Sequence, residues 1–401
     1  METITFIDSV DMSRPMHGDG CATVVASAIR VLGDRLILVG TSSDEVANPV
    51  GHWSRTRLFG QECSFFPVMS ARELDRKYVK NFSFALRVMR FWTSIVERPG
   101  GTIMTQNYAV MWWLAFSKAF DFRVFYFPGL ANQILIGRKP FLGRLFAKIF
   151  EKVQFSRLRK MDLLIAAASA EEIEQFTRDR STELQNREIF QLPTAVDTEF
   201  FAPVESTAEL RRDYKLQGDA VYFVCVGRLA KVKGIDLLID ALKIFIESYG
   251  PASLIVVGDG EEASSLRRHA AEAGLQDNVI FRGSVLPDEV RDLVNCADVC
   301  LVGSHTEGFS CAMVEQIACG KPLVSTSVSG AREIICDGEN GYIVNGRNPR
   351  LFAEAMAKAL KLQDAAAKSR QAALEKYSEQ AVWNTFIALL EPNGAAKKPP
   401  A

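Results

Sequence analysis

The segment Val226-Gly227-Arg228-Leu229-Ala230-Lys231-Val232-Lys233-Gly234 sets cations and a glycine between an apolar run and an amphipathic run. The first run reads as a strand and the second as a helix, so the helix start becomes an anion site. Backbone N–H groups there favour negative charge, and Gly227 lets the backbone come close to it. Arg228 and Lys233 add two fixed positive charges. Such a set suits a diphosphate that departs with growing negative charge, and each preorganised donor of this kind supplies about 3–4 kcal/mol. The alternative is a basic pair that merely faces solvent. It is weakened because cations at a helix N-terminus are unfavourable unless an anion offsets them.

A second cluster is Ser304-His305-Thr306-Glu307-Gly308-Phe309-Ser310, with Glu315 eight residues after Glu307. With Ser310 as N-cap, Glu307 falls in the loop before a helix and Glu315 more than a turn inside it. Carboxylates placed this way accept hydrogen bonds from different hydroxyls of one ligand. The amides of Gly308, Phe309 and Ser310 point at phosphate or sugar oxygens. Glu315 sits among Ala312, Met313, Val314, Ile317 and Ala318, where an unpaired charge is costly. It therefore needs a partner, either a ligand or an internal salt bridge. A third loop, Gly258-Asp259-Gly260, again follows an apolar run; it reads as donor contact or as a plain turn.

These loops need strands to end where they begin. Apolar runs at Ala220–Val226, Ser253–Val257, Val279–Arg282, Val299–Val302, Leu323–Ser325 and Gly341–Val344 alternate with helical periods. The first half repeats the alternation at Ile4–Val10, Leu36–Val39, Thr102–Thr105, Val124–Phe127 and Leu163–Ala167. Strands alternating with helices predict parallel sheets. At 401 residues the chain exceeds the size of one core, so two domains are expected. The spacing predicts an α/β protein of two Rossmann-like, doubly wound domains over 1–195 and 196–375, joined through Leu192–Pro203. A helix at 376–392 would pack back on the first domain, and 393–401 would form a disordered tail. Open sheets of this kind bind ligands at the carboxyl ends of their strands, which here would face a central cleft.

Composition removes other classes. The net charge is −1, which gives no pull toward nucleic acid. The eight cysteines (21, 63, 225, 296, 300, 311, 319, 336) form no CxxC pair and read as buried free thiols suited to a reducing compartment. Neither they nor the four histidines offer metal-ligand spacing, so no metal or cofactor is expected. The N-terminus reads directly as a strand rather than a secretory signal, and a cytoplasmic protein is expected.

Taken together, VGRLAKVKGIDLLIDAL, VVGDGEE, EGFSCAMVEQIACGKPLVST and GAREIICDGENGYIV resemble the retaining glycosyltransferase family 4. The resemblance is dense over Ala220–Val344 and looser over the first 190 residues. It implies the GT-B fold, a UDP- or GDP-sugar donor, retention of anomeric configuration and independence from a divalent metal. It also implies that Arg228 and Lys233 bind the diphosphate, that Glu307 lies near the donor sugar and that Glu315 binds the ribose. Gly18 and Gly20 match a loop near the donor phosphate. The family often carries a His after an N-terminal strand; Pro128 stands there in this chain. His17 and Asn107 are acceptor-side candidates, with a turn residue as the alternative for Asn107.

Residues 138–160 hold eight basic residues and one acid, a net of +7, interleaved with Phe141, Phe146, Phe150 and Phe155. That pattern predicts an amphipathic segment on an anionic membrane surface, or a helix whose Phe face packs on its own domain. Membrane binding would suit a lipid-linked saccharide or glycolipid acceptor of cell-surface polysaccharide synthesis. Three rival functions share the fold expectation. One is a nucleotide-sugar epimerase, which would turn donor over without an acceptor. Another is a non-catalytic sugar-nucleotide-binding protein, which would lack the basic or Glu positions. A dinucleotide oxidoreductase is disfavoured because no G-x-G-x-x-G opens either half.

Overall fold

The computed structural model describes residues 3–13, 20–76, 80–97, 101–127, 129–130, 151–216 and 220–391. The chain divides into two compact units, one of Met1–Pro193 with Val382–Ala401 and one of Thr194–Ala381.

The first unit carries an eight-stranded sheet. Its strands are β1 (Ile4–Asp11), β2 (Leu36–Ser42), β3 (Ser54–Leu58), β4 (Gln61–Ser70), β5 (Thr102–Thr105), β6 (Phe122–Phe127), β7 (Leu163–Ala166) and β8 (Phe190–Gln191). They lie in the order β3-β4-β2-β1-β5-β6-β7-β8, parallel apart from the antiparallel β3–β4 hairpin at one edge. Buried-on-both-faces strands such as Val124–Phe127 are the apolar runs that parallel sheets require. Phe125 and Phe127 meet edge to face at 4.8 Å. The hairpin escaped the apolar-run reading because Arg55, Arg57 and Glu62 interrupt it. Its turn is closed by Phe59 and Gly60 at φ +50° and +79°, the left-handed pair that two-residue hairpin loops use.

The second unit carries a six-stranded, fully parallel sheet of β9 (Val221–Val226), β10 (Ala252–Val257), β11 (Val279–Gly283), β12 (Val299–Val302), β13 (Leu323–Thr326) and β14 (Gly341–Val344). Its order is β11-β10-β9-β12-β13-β14. The chain therefore reverses direction across the sheet between β10 and β12, either side of β9, and the loops after β9 and β12 open there. Ligands bind at such switch points.

From Thr194 onward the segment expected to join the halves is fixed in the second unit: Val196 N–H donates to the Tyr377 carbonyl at 2.8 Å, and Arg370 donates to the Thr198 and Phe201 carbonyls. The same bonds hold 376–381 in the second unit, so the chain re-enters the first unit at Val382 rather than at 376. The tail at 393–401 lies outside the described residues.

From Val382 the helix Glu379–Leu390 buries Trp383 and Phe386 in the first unit. The two rings meet edge to face at 5.2 Å, and the Trp383 indole N–H donates to Ser27 Oγ in the helix Gly20–Leu32. Replacing Trp383 by Ala removes a fully buried ring and strands that hydroxyl. The expected cost is about 3–5 kcal/mol, read as a lower urea midpoint for the transition that includes the first unit; an unchanged midpoint would show that the helix adds nothing there.

Candidate functional site

The candidate residues of the second unit collect at the carboxyl edge of its sheet. Three loops meet there: 227–234 after β9, 258–262 after β10 and 303–310 after β12. Backbone hydrogen bonds join them: Leu229 N–H to the Asp259 carbonyl at 2.9 Å, Glu262 N–H to the Leu229 carbonyl at 2.8 Å, and His305 N–H to the Val232 carbonyl at 2.8 Å. Glycines permit the approach. A Cβ on Gly258 would lie 2.0 Å from the Gly227 carbonyl oxygen, and one on Gly234 would lie 2.1 Å from that of Gly303.

Lys233 closes a short 3-10 turn, Lys231–Lys233, just before the helix Ile235–Tyr249. Its Nζ donates to both oxygens of Glu307, at 2.7 and 2.8 Å. The Ser304 hydroxyl donates to Glu307 Oε1 at 2.6 Å, so that carboxylate is held from two sides. The side chains of Lys233 and Glu307 are 29% and 10% exposed, placing the pair at the wall of a pocket rather than in the core. Gly227, Ser304, Ser310 and Ala312 line the same pocket. Arg228 differs: it is exposed and has no ion pair among the described residues.

Ser310 is the N-cap of the helix Cys311–Ala318, although its hydroxyl makes no cap bond. Among the described residues no acceptor meets the backbone N–H groups of Gly308, Phe309 or Ser310. The Phe309 ring is buried, packs on Tyr377 at 5.7 Å and abuts Gly330. Its carbonyl accepts from Thr194 Oγ1 at 2.9 Å. The cluster thus offers free amides, one free guanidinium and one ammonium shared with a carboxylate, all features that receive an anion.

Glu315 lies one turn into that helix. Among the described residues its carboxyl has neither ion pair nor hydrogen bond, so the internal salt bridge is not what holds it. Burial pushes its carboxyl up to about 7, the expected response of an acid without a partner.

Other candidates resolve differently. Asp259 is exposed, and its Oδ1 accepts the Gly260 N–H at 2.8 Å, a local turn bond. Asn107 is the N-cap of the helix Tyr108–Leu114; its Oδ1 accepts the Ala109 and Val110 N–H groups at 3.0 and 3.2 Å. Its buried side-chain carbonyl is thus used as a helix cap. Gly20 opens the helix Gly20–Leu32 with open space around a Cβ. His17, Gly18 and Pro128 lie outside the described residues. No group of three or more His, Cys, Asp or Glu among the described residues could hold a metal.

Sequence reading missed Ser304 as the holder of Glu307, though it stands three residues before it. It also missed Arg347, which donates to the Gly303 carbonyl and pairs with Asp236 at 3.0 Å. No local pattern marks a residue 44 positions from its partner.

The sequence model for glycosyl transferases group 1 matches residues 206–378, a span that contains all three loops. The chain is similar to two kinds of named relative. The chain is 34% identical over 207 residues to the GDP-mannose-dependent alpha-(1-6)-phosphatidylinositol monomannoside mannosyltransferase of Mycobacterium tuberculosis, covering 50% of this chain and 54% of that one. It is 35% identical over 178 residues to the D-inositol 3-phosphate glycosyltransferase of Acidothermus cellulolyticus, covering 42% and 40%. The chain thus spans about half the length of the relatives it matches. Among solved structures, sucrose-phosphate synthase from Thermosynechococcus elongatus superposes with a TM-score of 0.73 at 18% identity, over 99% of this chain and 100% of that one. Anabaena HepE in complex with UDP superposes at 0.70 and 18%, over 97% and 99%. The fold of the chain is GT-B, with two parallel-sheet α/β units.

Glu315 generates a pH-dependent outcome. Its carboxyl is ordinary in the unfolded chain, near 4.5, and raised to about 7 in the fold. Ionisation therefore favours unfolding, with no effect below 4.5, a growing penalty between 4.5 and 7 and the full penalty above 7. Glu315→Gln should raise the unfolding free energy above pH 7 by up to about 3 kcal/mol, and the gain should shrink as pH falls toward 4.5. A gain independent of pH would mean that the carboxylate is not the cause.

Proposed function

We propose that this protein is a retaining glycosyltransferase that moves a sugar from a UDP- or GDP-sugar to an acceptor hydroxyl. The observation that carries the reading is the Lys233–Glu307–Ser304 cluster beside the free Arg228, at the switch point of the second sheet.

In the free protein Lys233 is neutralised by Glu307. A diphosphate brings more negative charge than one carboxylate, so it competes for the ammonium while Arg228 and the amides of Gly308 to Ser310 add donors. As the glycosidic bond breaks, charge accumulates on the departing diphosphate, and these cations act most strongly at that stage, where binding accelerates the reaction. They do the work that a divalent ion does elsewhere, so the reaction should persist in a chelator. Glu307, freed from Lys233 in part and still held by Ser304, accepts hydrogen bonds from the donor sugar. Glu315 accepts from the ribose, which relieves the cost of an unpartnered acid.

The acceptor in this reading is a lipid-linked saccharide or glycolipid at the inner face of the cytoplasmic membrane, used in cell-surface polysaccharide synthesis. The Mycobacterium tuberculosis relative supports it, since its name specifies a phosphatidylinositol monomannoside. No helix among the described residues is long and apolar enough to cross a membrane.

Two measurements test the reading. Without metal, UDP or GDP or one of their sugar conjugates should raise the melting midpoint, the equivalent of about 2.7 kcal/mol at a hundredfold excess over Kd. Lys233→Ala should lower turnover about 10²-fold and leave the fold intact by circular dichroism. Full-rate transfer by that variant would remove Lys233 from the mechanism.

A further inference from the structure

The basic, Phe-rich stretch at 138–160 invites a membrane role, yet its described part does not present an apolar face. Phe155 and Leu158 are buried in the core of the first unit, Arg180 pairs with Glu151, and Arg157 and Lys160 cover the Phe116 ring at 4.1 and 4.3 Å. Residues 138–150 lie outside the described residues.

A different element of the same unit does. The helix Lys80–Arg90 buries Phe84, Ala85 and Val88 against its own sheet and neighbouring helix. On its other side Phe82, Leu86 and Met89 stand 56%, 50% and 40% exposed. Their spacing of four and three residues puts them on one stripe. A helix that is apolar on two sides, with one side filled by its own core, leaves the other in want of a partner.

The charge around the stripe says which partner. Residues 72–90 contain six basic residues and two acids, a net of +4, in a chain whose total is −1. Both acids are already engaged: Glu73 pairs with Arg87 at 2.8 Å and Asp75 with Lys80 at 2.9 Å. Arg72, Arg76 and Arg90 are exposed and have no ion pair among the described residues. Arg90 borders the stripe at one end of the helix, while Arg72 and Arg76 precede the other end. Arg90 also lies over the Phe91 ring at 5.6 Å, a contact that leaves its charge unneutralised, and an apolar stripe ended by cations that no acid pairs fits a surface that is oily within and negative outside.

We propose that the helix Lys80–Arg90 docks on anionic lipid bilayers, with Phe82, Leu86 and Met89 entering the acyl boundary and Arg72, Arg76 and Arg90 meeting headgroup phosphates. The inference deepens the transfer to a lipid-carried acceptor and rests on that reading for its purpose. A free-standing helix of this size binds weakly and reversibly, so attachment depends on salt and on anionic lipid.

The full chain is sedimented with phosphatidylcholine vesicles, with and without phosphatidylglycerol, at low and high salt. It should sediment with the anionic vesicles only, and high salt should release it. Phe82→Ser/Leu86→Ser/Met89→Ser together should cut the bound fraction about tenfold, and Arg72→Glu/Arg76→Glu/Arg90→Glu should do the same with the stripe intact. All six side chains are exposed, so melting midpoints should stay near wild type. The nucleotide-induced melting shift is measured on the same samples and should survive both triple variants. Loss of that shift in the wild type, with vesicle binding retained, would sink the donor reading and leave the surface standing. Failure of the wild type to sediment, or unchanged sedimentation of the serine variant, overturns the surface. A dimer that the serine variant dissolves, without vesicle binding, also overturns it, because a second copy would then cover the stripe.

Discussion

At the carboxyl edge of the second sheet, three loops run so near one another that two of their contacts leave no space for a Cβ. Gly258 faces the Gly227 carbonyl and Gly234 faces that of Gly303, each with a would-be Cβ far inside van der Waals contact, at 2.0 and 2.1 Å. The arrangement of charge depends on this approach. Lys233 reaches Glu307 across 74 residues of sequence because the backbones that carry them are packed glycine against carbonyl. Any side chain at either glycine would push the loops apart by more than a hydrogen bond tolerates.

The same closeness explains why the ion pair is useful. Two charges fully buried together are costly to desolvate and gain little net stability. Lys233 and Glu307 instead sit at a pocket wall, partly wet, with Ser304 supplying a third contact to the carboxylate. Such a pair can be opened by a competing anion without leaving a charge in hydrocarbon. Glu315 is the opposite case. Its carboxyl has no partner, and burial pushes it up to about 7. The fold tolerates a destabilising acid next to a loop of unpaired amides, which is where functional groups are commonly kept at the expense of stability.

Away from this edge, the two units are stabilised by ordinary means. Alternating apolar runs build parallel sheets buried on both faces, and helices cover them. The return of the chain into the first unit is set by packing: Trp383 and Phe386 are buried there, while Tyr377, a few residues earlier, bonds the Glu333 carbonyl at 2.9 Å in the second unit. One continuous helix, Glu379–Leu390, therefore belongs to both.

The sequence by itself determined the strands of the second sheet to within a residue or two, because each is an apolar run bounded by glycine or a cap. It also placed Arg228, Lys233, Glu307 and Glu315 on loops and a helix, positions legible from periodicity and found at the carboxyl edge of the sheet in the structure. It did not reveal the β3–β4 hairpin, where charged residues on an exposed edge erase the apolar signal. Nor did it separate a helix cap from a site residue at Asn107, since both uses need the same side chain after a strand. Only the tertiary structure decided that Lys233 is shared with Glu307 while Arg228 is free, that Glu315 lacks a partner, and that the exposed apolar face lies on Lys80–Arg90 rather than on 151–160. Those outcomes depend on which groups meet across tens of residues, and periodicity carries information only about neighbours along the chain.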